Sequence, residues 1–211
     1  MTRADPSTAT RVVLASASPA RLSTLRAAGL DPDVVVSGVD EEGWSADSPS
    51  ALALLLAERK CAAVAERLRP VERPTLVIGC DSVLELHGVA HGKPIDAATA
   101  AARWRVMRGG EGVLHTGHGL RLLGGGAADR RAAAVAGSVV HFADLADDEI
   151  DAYVATGEPL AVAGGFTLDG LGGAYVRSID GDPHTVVGIS LPLLRDLVGE
   201  LGLRWHQLWR R

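Results

Sequence analysis

Thr75-Leu76-Val77-Ile78-Gly79-Cys80-Asp81 decides how this chain is read, because a run of small and apolar residues ends abruptly on an aspartate. A continuous apolar run of this length is the pattern of a strand buried on both faces. Aspartate is seldom buried without a partner, and the ends of such strands are where α/β proteins place their sites. Asp81 can be a cap for the following turn, but its position favours a site residue. Val83 to Leu86 continues extended, and Gly88 marks a turn.

Upstream, Val12 to Ser16 reads as a short buried strand, and Ser18-Pro19 opens a helix with an N-cap and a proline at its first position. Leu22, Leu25 and Ala28 form its apolar stripe and Gly29 ends it. Val34 to Val36 is a second strand, leading into the acidic stretch Asp40-Glu41-Glu42. Ser48-Pro49 repeats the helix-start device, for a helix to about Leu68.

Downstream, Asp96 caps an alanine-rich helix that stops at Gly109-Gly110. Val113 to Leu123 and Arg131 to Phe142 form a hairpin about Gly124-Gly125-Gly126. A helix starts at Asp147, a glycine-rich passage runs from Gly164 to Gly173, a strand covers Ala174 to Ile179, and a last helix follows Pro192. Strands and helices alternate first and a hairpin follows, so the fold class is α/β with a mixed sheet. The whole chain, 1–211, reads as one domain behind a flexible polar leader at 1–10.

Composition narrows the function. Apolar residues are 47% of the 211, enough for a core, while aromatics at 4% disfavour a base-stacking nucleic-acid platform. The net charge of −5 and the lack of a basic run exclude duplex binding by charge. The start carries no apolar segment of a signal peptide, and no run approaches a membrane span. Cys61 and Cys80 lack metal-ligand spacing and read as buried reduced thiols. The expected location is cytoplasmic.

Four places can carry chemistry. The turn Ser16-Ala17-Ser18-Pro19-Ala20-Arg21 aims a helix N-terminus at one point, a natural phosphate seat; Arg21 either faces that anion or points to solvent. Lys60 falls in the apolar stripe between Leu56 and Val64, where it must snorkel to water or meet an anion. Asp81 is the third. Gly92-Lys93-Pro94 is the fourth, a stiff turn offering a point charge to phosphate, though Pro94 and the spacing rule out a Walker A loop. His87 and His91 are separated by glycine, His115 and His118 lie on opposite faces of a strand, and no nucleophile elbow exists. Glu158 before Pro159 reads equally as a turn residue or a site carboxylate.

In order, Leu14-Ala15-Ser16-Ala17-Ser18-Pro19, Val39-Asp40-Glu41, Lys60-Cys61-Ala62-Ala63-Val64, Ile78-Gly79-Cys80-Asp81-Ser82, Gly92-Lys93-Pro94, Tyr153 with Gly157-Glu158-Pro159, Ala163-Gly164 and Ile179-Asp180-Gly181-Asp182 resemble the Maf family of nucleoside triphosphate pyrophosphatases. The resemblance runs from about Val13 to Leu194. It implies an elongated mixed sheet with flanking helices, two lobes around a central cleft, and often a homodimer. It also implies metal-assisted hydrolysis of a nucleoside triphosphate to the monophosphate and pyrophosphate. On this basis Asp81 is the expected proton acceptor, and Glu41 and Asp81 the expected ligands of Mg²⁺ or Mn²⁺. Ser16, Arg21, Lys60, Ser82, Lys93 and Asp169 are the expected substrate-binding residues. Ala20, Ser82 and Thr167-Leu168-Asp169-Gly170 depart from the usual family residues at positions tied to base choice, and two extra residues lie within Val187–Pro192. A nucleotide-binding regulator of division that hydrolyses little would share every motif, and a nucleotidyltransferase would share the phosphate seat.

Overall fold

The structure is a computed structural model that describes residues 10–41, 43–124 and 128–210. The leader apart from Thr10, Glu42, and Gly125-Gly126 of the hairpin turn lie outside the described residues. The chain runs β1 (Arg11–Leu14), α1 (Pro19–Ala27), β2 (Asp33–Val34), α2 (Pro49–Arg67), β3 (Thr75–Leu86), β4 (Val89–His91), α3 (Ala97–Met107), β5 (Glu111–Leu123), β6 (Arg130–Phe142), α4 (Asp147–Ala155), β7 (Val176–Asp180), α5 (Pro183–Val187) and α6 (Leu191–Glu200). Each expected helix cap forms: Ser18, Ser48 and Asp96 accept from the Arg21, Ala51 and Thr99 N–H groups. Among the described residues no helix is long and apolar enough to cross a membrane.

One mixed sheet has the order β2-β1-β3-β5-β6-β7, with β4 also on β3. β1 pairs in parallel with β2 and β3, and the remaining pairs are antiparallel. The expected strand ending on Asp81 is longer than the sequence suggests. β3 continues to Leu86 because β5 pairs it without interruption from Thr75 to Glu85. The other edge is broken. β1 stops opposite Ile78, with a last bond from the Ala15 N–H to the Ile78 carbonyl at 2.7 Å, and β4 takes over only at Leu84. Asp81 lies in the notch between them, so it sits at a strand end relative to β1 alone. The hairpin from β3 to β4 turns through His87 and Gly88, both at positive φ, which removes the His87–His91 pair from any helix.

The long strands carry separate cores. Towards one end, α1 and α6 pack on Leu14, Leu76, Ile78, Cys80 and Leu120, while Cys61 and Val64 of α2 pack on Val13 and Val77. Towards the other end Trp104 of α3 lies edge-on to Phe142, Tyr153 and Tyr175 at 5.7, 5.5 and 5.9 Å, and its indole N–H donates to the Gly165 carbonyl at 2.8 Å. Both cysteines are buried and free, and burial pushes Cys61 up to about 12 and Cys80 to about 11.

Three glycines bring α2 against the sheet. A methyl group at Gly117 would stand 2.2 Å from the Ala53 carbonyl oxygen, at Gly79 2.5 Å from that of Ala57, and at Gly119 2.8 Å from the Glu58 Cα. Backbone, not side-chain ends, forms these contacts, so a methyl there displaces the helix. Gly117→Ala is expected to cost about 1–3 kcal/mol or more in urea denaturation, the range for overpacking; an unchanged midpoint would show that α2 can lift freely.

On the opposite face His118 is fully buried. Its Nδ1–H donates to the Thr116 carbonyl at 3.1 Å, and Nε2 accepts from the Ser190 N–H at 2.9 Å, joining β5 to the cap of α6. That pairing requires the neutral ring. Burial first, then the Arg21 charge, lowers its pKa from 6.5 to about 4, against small opposing effects of the Thr116 carbonyl and Asp182. The unfolded chain therefore binds a proton that the folded one refuses between these values. Stability contributed by neutral His118 is full above about pH 6.5, falls as pH drops, and is lost at about pH 4, in total about 3 kcal/mol. Urea denaturation of wild type and His118→Gln across this window should show a shallower slope for the variant; parallel curves would contradict it.

Candidate active site

The notch in β3 is the meeting point of two networks on opposite faces of the strand. Asp81 shares its face with Gly79, the side on which α2 lies, and Ser82 points the other way. Lys60 and Asp81 are both buried, at 7% and 6% exposure. The Lys60 ammonium pairs with Asp81 and also with Glu41 at 2.6 Å. The sequence left Lys60 a choice between snorkelling and an anion; it meets two carboxylates. Burial raises the pKa of Asp81, the Lys60 and Arg21 charges pull it back, and Glu41 adds to the rise. The result is a buried carboxylate more basic than an exposed one.

The loop that carries Glu41 is fastened to α2 by basic side chains. Arg67 donates to the Val36 and Ser37 carbonyls at 2.6 and 3.0 Å, and the Arg59 guanidinium lies 3.4 Å from the Trp44 ring centroid.

On the second face, the buried Arg21 guanidinium donates to the Gly188 carbonyl (2.7 Å), the Cys80 carbonyl (2.9 Å), Ser16 Oγ (3.2 Å) and Ser82 Oγ (3.0 Å). Arg21 thus does not point to solvent; four of its N–H groups are taken by protein acceptors, one of them Ser16 of the turn before α1. Thr116 Oγ1 donates to the Thr185 carbonyl at 2.8 Å, so Ser82 Oγ, 2.9 Å away, accepts from Arg21 and donates to Thr116. Ser16 Oγ also accepts from the Ser18 N–H at 3.2 Å. Thr116, Thr185 and Gly188 were not legible in the sequence as members of this network, and five-residue α5, which brings the last two in, is too short to show periodicity.

Lys93 and Asp169 are exposed on turns. Neither makes a hydrogen bond or ion pair with the Lys60–Asp81 group among the described residues. The turn at Gly92-Lys93-Pro94 is held from behind: the Gly92 carbonyl accepts from the Gly164 N–H (3.1 Å) and Arg103 (2.6 Å). Glu158 proves to be an anchor. Its carboxylate accepts from Tyr153 Oη (2.9 Å), Thr167 Oγ1 (2.5 Å) and the Leu171 and Gly172 N–H groups (3.0 Å each), clasping both ends of the turn that presents Asp169. Desolvation opposes ionisation of Glu158, yet these bonds, Thr167 foremost, hold its pKa down at about 2.

Two cavities lie elsewhere. One of about 270 Å³ borders Cys61, Arg121 and Arg131, and an apolar groove of about 580 Å³ is lined by Pro192, Trp205 and Trp209. Neither includes Lys60 or Asp81; the buried charges identify the site, not the size of a hollow.

The fold and the site define a mixed α/β protein in which a lysine and two carboxylates gather beside continuous β3, at the gap that β1 and β4 leave along its edge. The family model described as Maf-like protein matches residues 11–201, and the chain belongs to that family. It is 60% identical over 202 residues to a nucleoside triphosphate pyrophosphatase of Salinispora tropica, covering 95% of this chain and 88% of the relative. It is 56% identical over 199 residues to a protein of the same description from Streptomyces avermitilis, covering 94% of each, and 49% identical over 209 residues to one from Leifsonia xyli, covering 95% and 97%.

Breaking the buried pair leaves Asp81 without its cation on one side and Lys60 with Glu41 alone on the other. Lys60→Met and Asp81→Asn are each expected to cost about 3 kcal/mol, with the double variant costing less than the sum by at least about 1 kcal/mol. Additive losses in denaturant titrations would mean that the two charges do not stabilise one another.

Proposed function

We propose that this chain is a nucleoside triphosphate pyrophosphatase, which cleaves a nucleotide to its monophosphate and pyrophosphate. The single observation that carries the reading is the buried Lys60 held between Asp81 and Glu41 at the β3 notch, in a chain of the Maf-like family. The names of its relatives support it.

Asp81 is the catalytic residue in this proposal. Its raised pKa suits it to take the proton of a water as that oxygen bonds to the α phosphorus. The bond from the α phosphorus to the bridging oxygen breaks, and pyrophosphate leaves with that oxygen. Lys60 and Lys93 balance the negative charge, the first from its buried place beside Asp81 and the second from an exposed turn.

A divalent cation fits the donors present. Glu41 and Asp81 offer hard carboxylate oxygens, and among the described residues no group of three or more His, Cys, Asp or Glu could hold a metal alone. Such a pair suits Mg²⁺ or Mn²⁺, which fills its remaining positions from phosphate oxygens and water. When bound it would polarise the phosphate and lower the cost of the developing charge.

Incubation with a panel of nucleoside triphosphates and Mg²⁺ or Mn²⁺ should release pyrophosphate and monophosphate in equal amounts. Orthophosphate alone, or no product from any nucleotide, would overturn the reading. Asp81→Asn should lower kcat by at least about 10²-fold in a protein that still folds. Lys93→Ala should act chiefly on KM for the triphosphate; unchanged kinetics would make it a turn residue only.

A further inference from the structure

Arg21 occupies a place in the sheet that a strand would otherwise fill. The Ile78 carbonyl of β3 is the last to be taken by the β1 side, from the Ala15 N–H. Two residues on, the Cys80 carbonyl points to the same edge, because alternate residues of a strand direct their polar groups to the same neighbour. β1 has ended there and β4 has not begun. The Arg21 guanidinium accordingly supplies the missing donor at 2.9 Å. A buried carbonyl left without one would carry the full cost of losing its water.

The same guanidinium fixes Ser82 on the far side of Asp81, and through it Thr116 and the Thr185 carbonyl. Its Nε–H is spent on the Gly188 carbonyl, where α5 ends with Gly188 at φ 116°. A methyl group on Gly188 would lie 3.1 Å from Arg21 Nε, so that side is tightly fitted. Four N–H donors therefore go to protein acceptors, and Arg21 is only 9% exposed. A guanidinium that grips phosphate presents two parallel N–H groups to it. Here Nη1 is spent on the Cys80 carbonyl and Ser16 Oγ and Nη2 donates to Ser82 Oγ, so a single Nη2 N–H is left and no parallel pair is offered to phosphate.

We infer that Arg21 is a positioning residue and not a phosphate ligand: it stands in for the absent strand, holding residues 80–82 so that Asp81 meets its water and Lys60 at a set angle. This rests on the proposed pyrophosphatase reading for its kinetic consequences, but not for its structural one.

Arg21→Ala and Thr116→Val, each in the full chain, test it. For Arg21→Ala, kcat should fall by about 10²-fold, the scale of a small misplacement of reacting groups, while KM for the triphosphate and inhibition by added pyrophosphate stay within about 3-fold. Added guanidinium ion at millimolar concentration should restore part of kcat. Thr116→Val should show a smaller loss, again in kcat alone. Amide exchange across 80–83 should rise by about tenfold or more in folded Arg21→Ala, whether or not the protein turns over any nucleotide. KM and the pyrophosphate constant rising together by about tenfold with kcat preserved would make Arg21 a phosphate ligand and overturn the inference. So would unchanged exchange. Should Arg21→Ala fail to fold, Thr116→Val decides: a loss in KM alone, or none, overturns it. Wild-type protein that releases no pyrophosphate sinks the functional reading, and the exchange result then judges the role of Arg21 independently.

Discussion

The close seating of α2 on β3 and β5 is the constraint on which the rest depends. Glycine at 79, 117 and 119 lets the helix backbone approach where any side chain would hold it off. At that distance Lys60, on the inward stripe with Leu56, Ala57, Cys61 and Val64, cannot reach water by extending along the helix. It needs an anion within the protein. Asp81, on the same face of β3 as Gly79, supplies it, and Glu41 closes the pair from the loop above. Helix packing and charge pairing thus explain each other: the glycines create the need and the carboxylates meet it.

Ending β1 at Leu14 is what leaves Asp81 beside an unpaired stretch of the edge of β3. Had the parallel pairing continued, Asp81 would lie beneath a neighbouring strand with its flanking carbonyls consumed. The early exit of β1 leads instead into the Ser16–Arg21 turn, so one chain reversal both opens the edge of β3 and returns a guanidinium to satisfy it. His118 and Ser190, and Thr116 with the Thr185 carbonyl, stitch β5 to α5 and α6 on that same side. The two faces of β3 then have different duties. One holds the Lys60–Asp81–Glu41 group, and the other, through Arg21, holds the strand.

The second core, around Trp104, is organised by aromatic packing and one carboxylate. Trp104 fixes the Gly165 carbonyl, and Glu158 draws Thr167, Leu171 and Gly172 around itself. The turns bearing Lys93 and Asp169 are exposed yet tethered from behind.

Local chemistry made much of the fold legible in advance. Ser-Pro pairs and Asp96 mark helix starts by capping, glycine marks the ends of α1 and α3, and the hairpin of β5 and β6 follows from two apolar runs around a glycine turn. The order of motifs was likewise enough to place the chain in its family. What no local rule contains is contact between distant residues. β3 runs on past Asp81 because β5 pairs it, Lys60 resolves its two options only against carboxylates 19 and 21 residues away, and Glu158 becomes an anchor only once the turn at 167–172 folds over it. Capping and periodicity act over one helical turn and are written in the sequence. The partner of a buried charge is selected by packing across the sheet, and only the tertiary structure decides it.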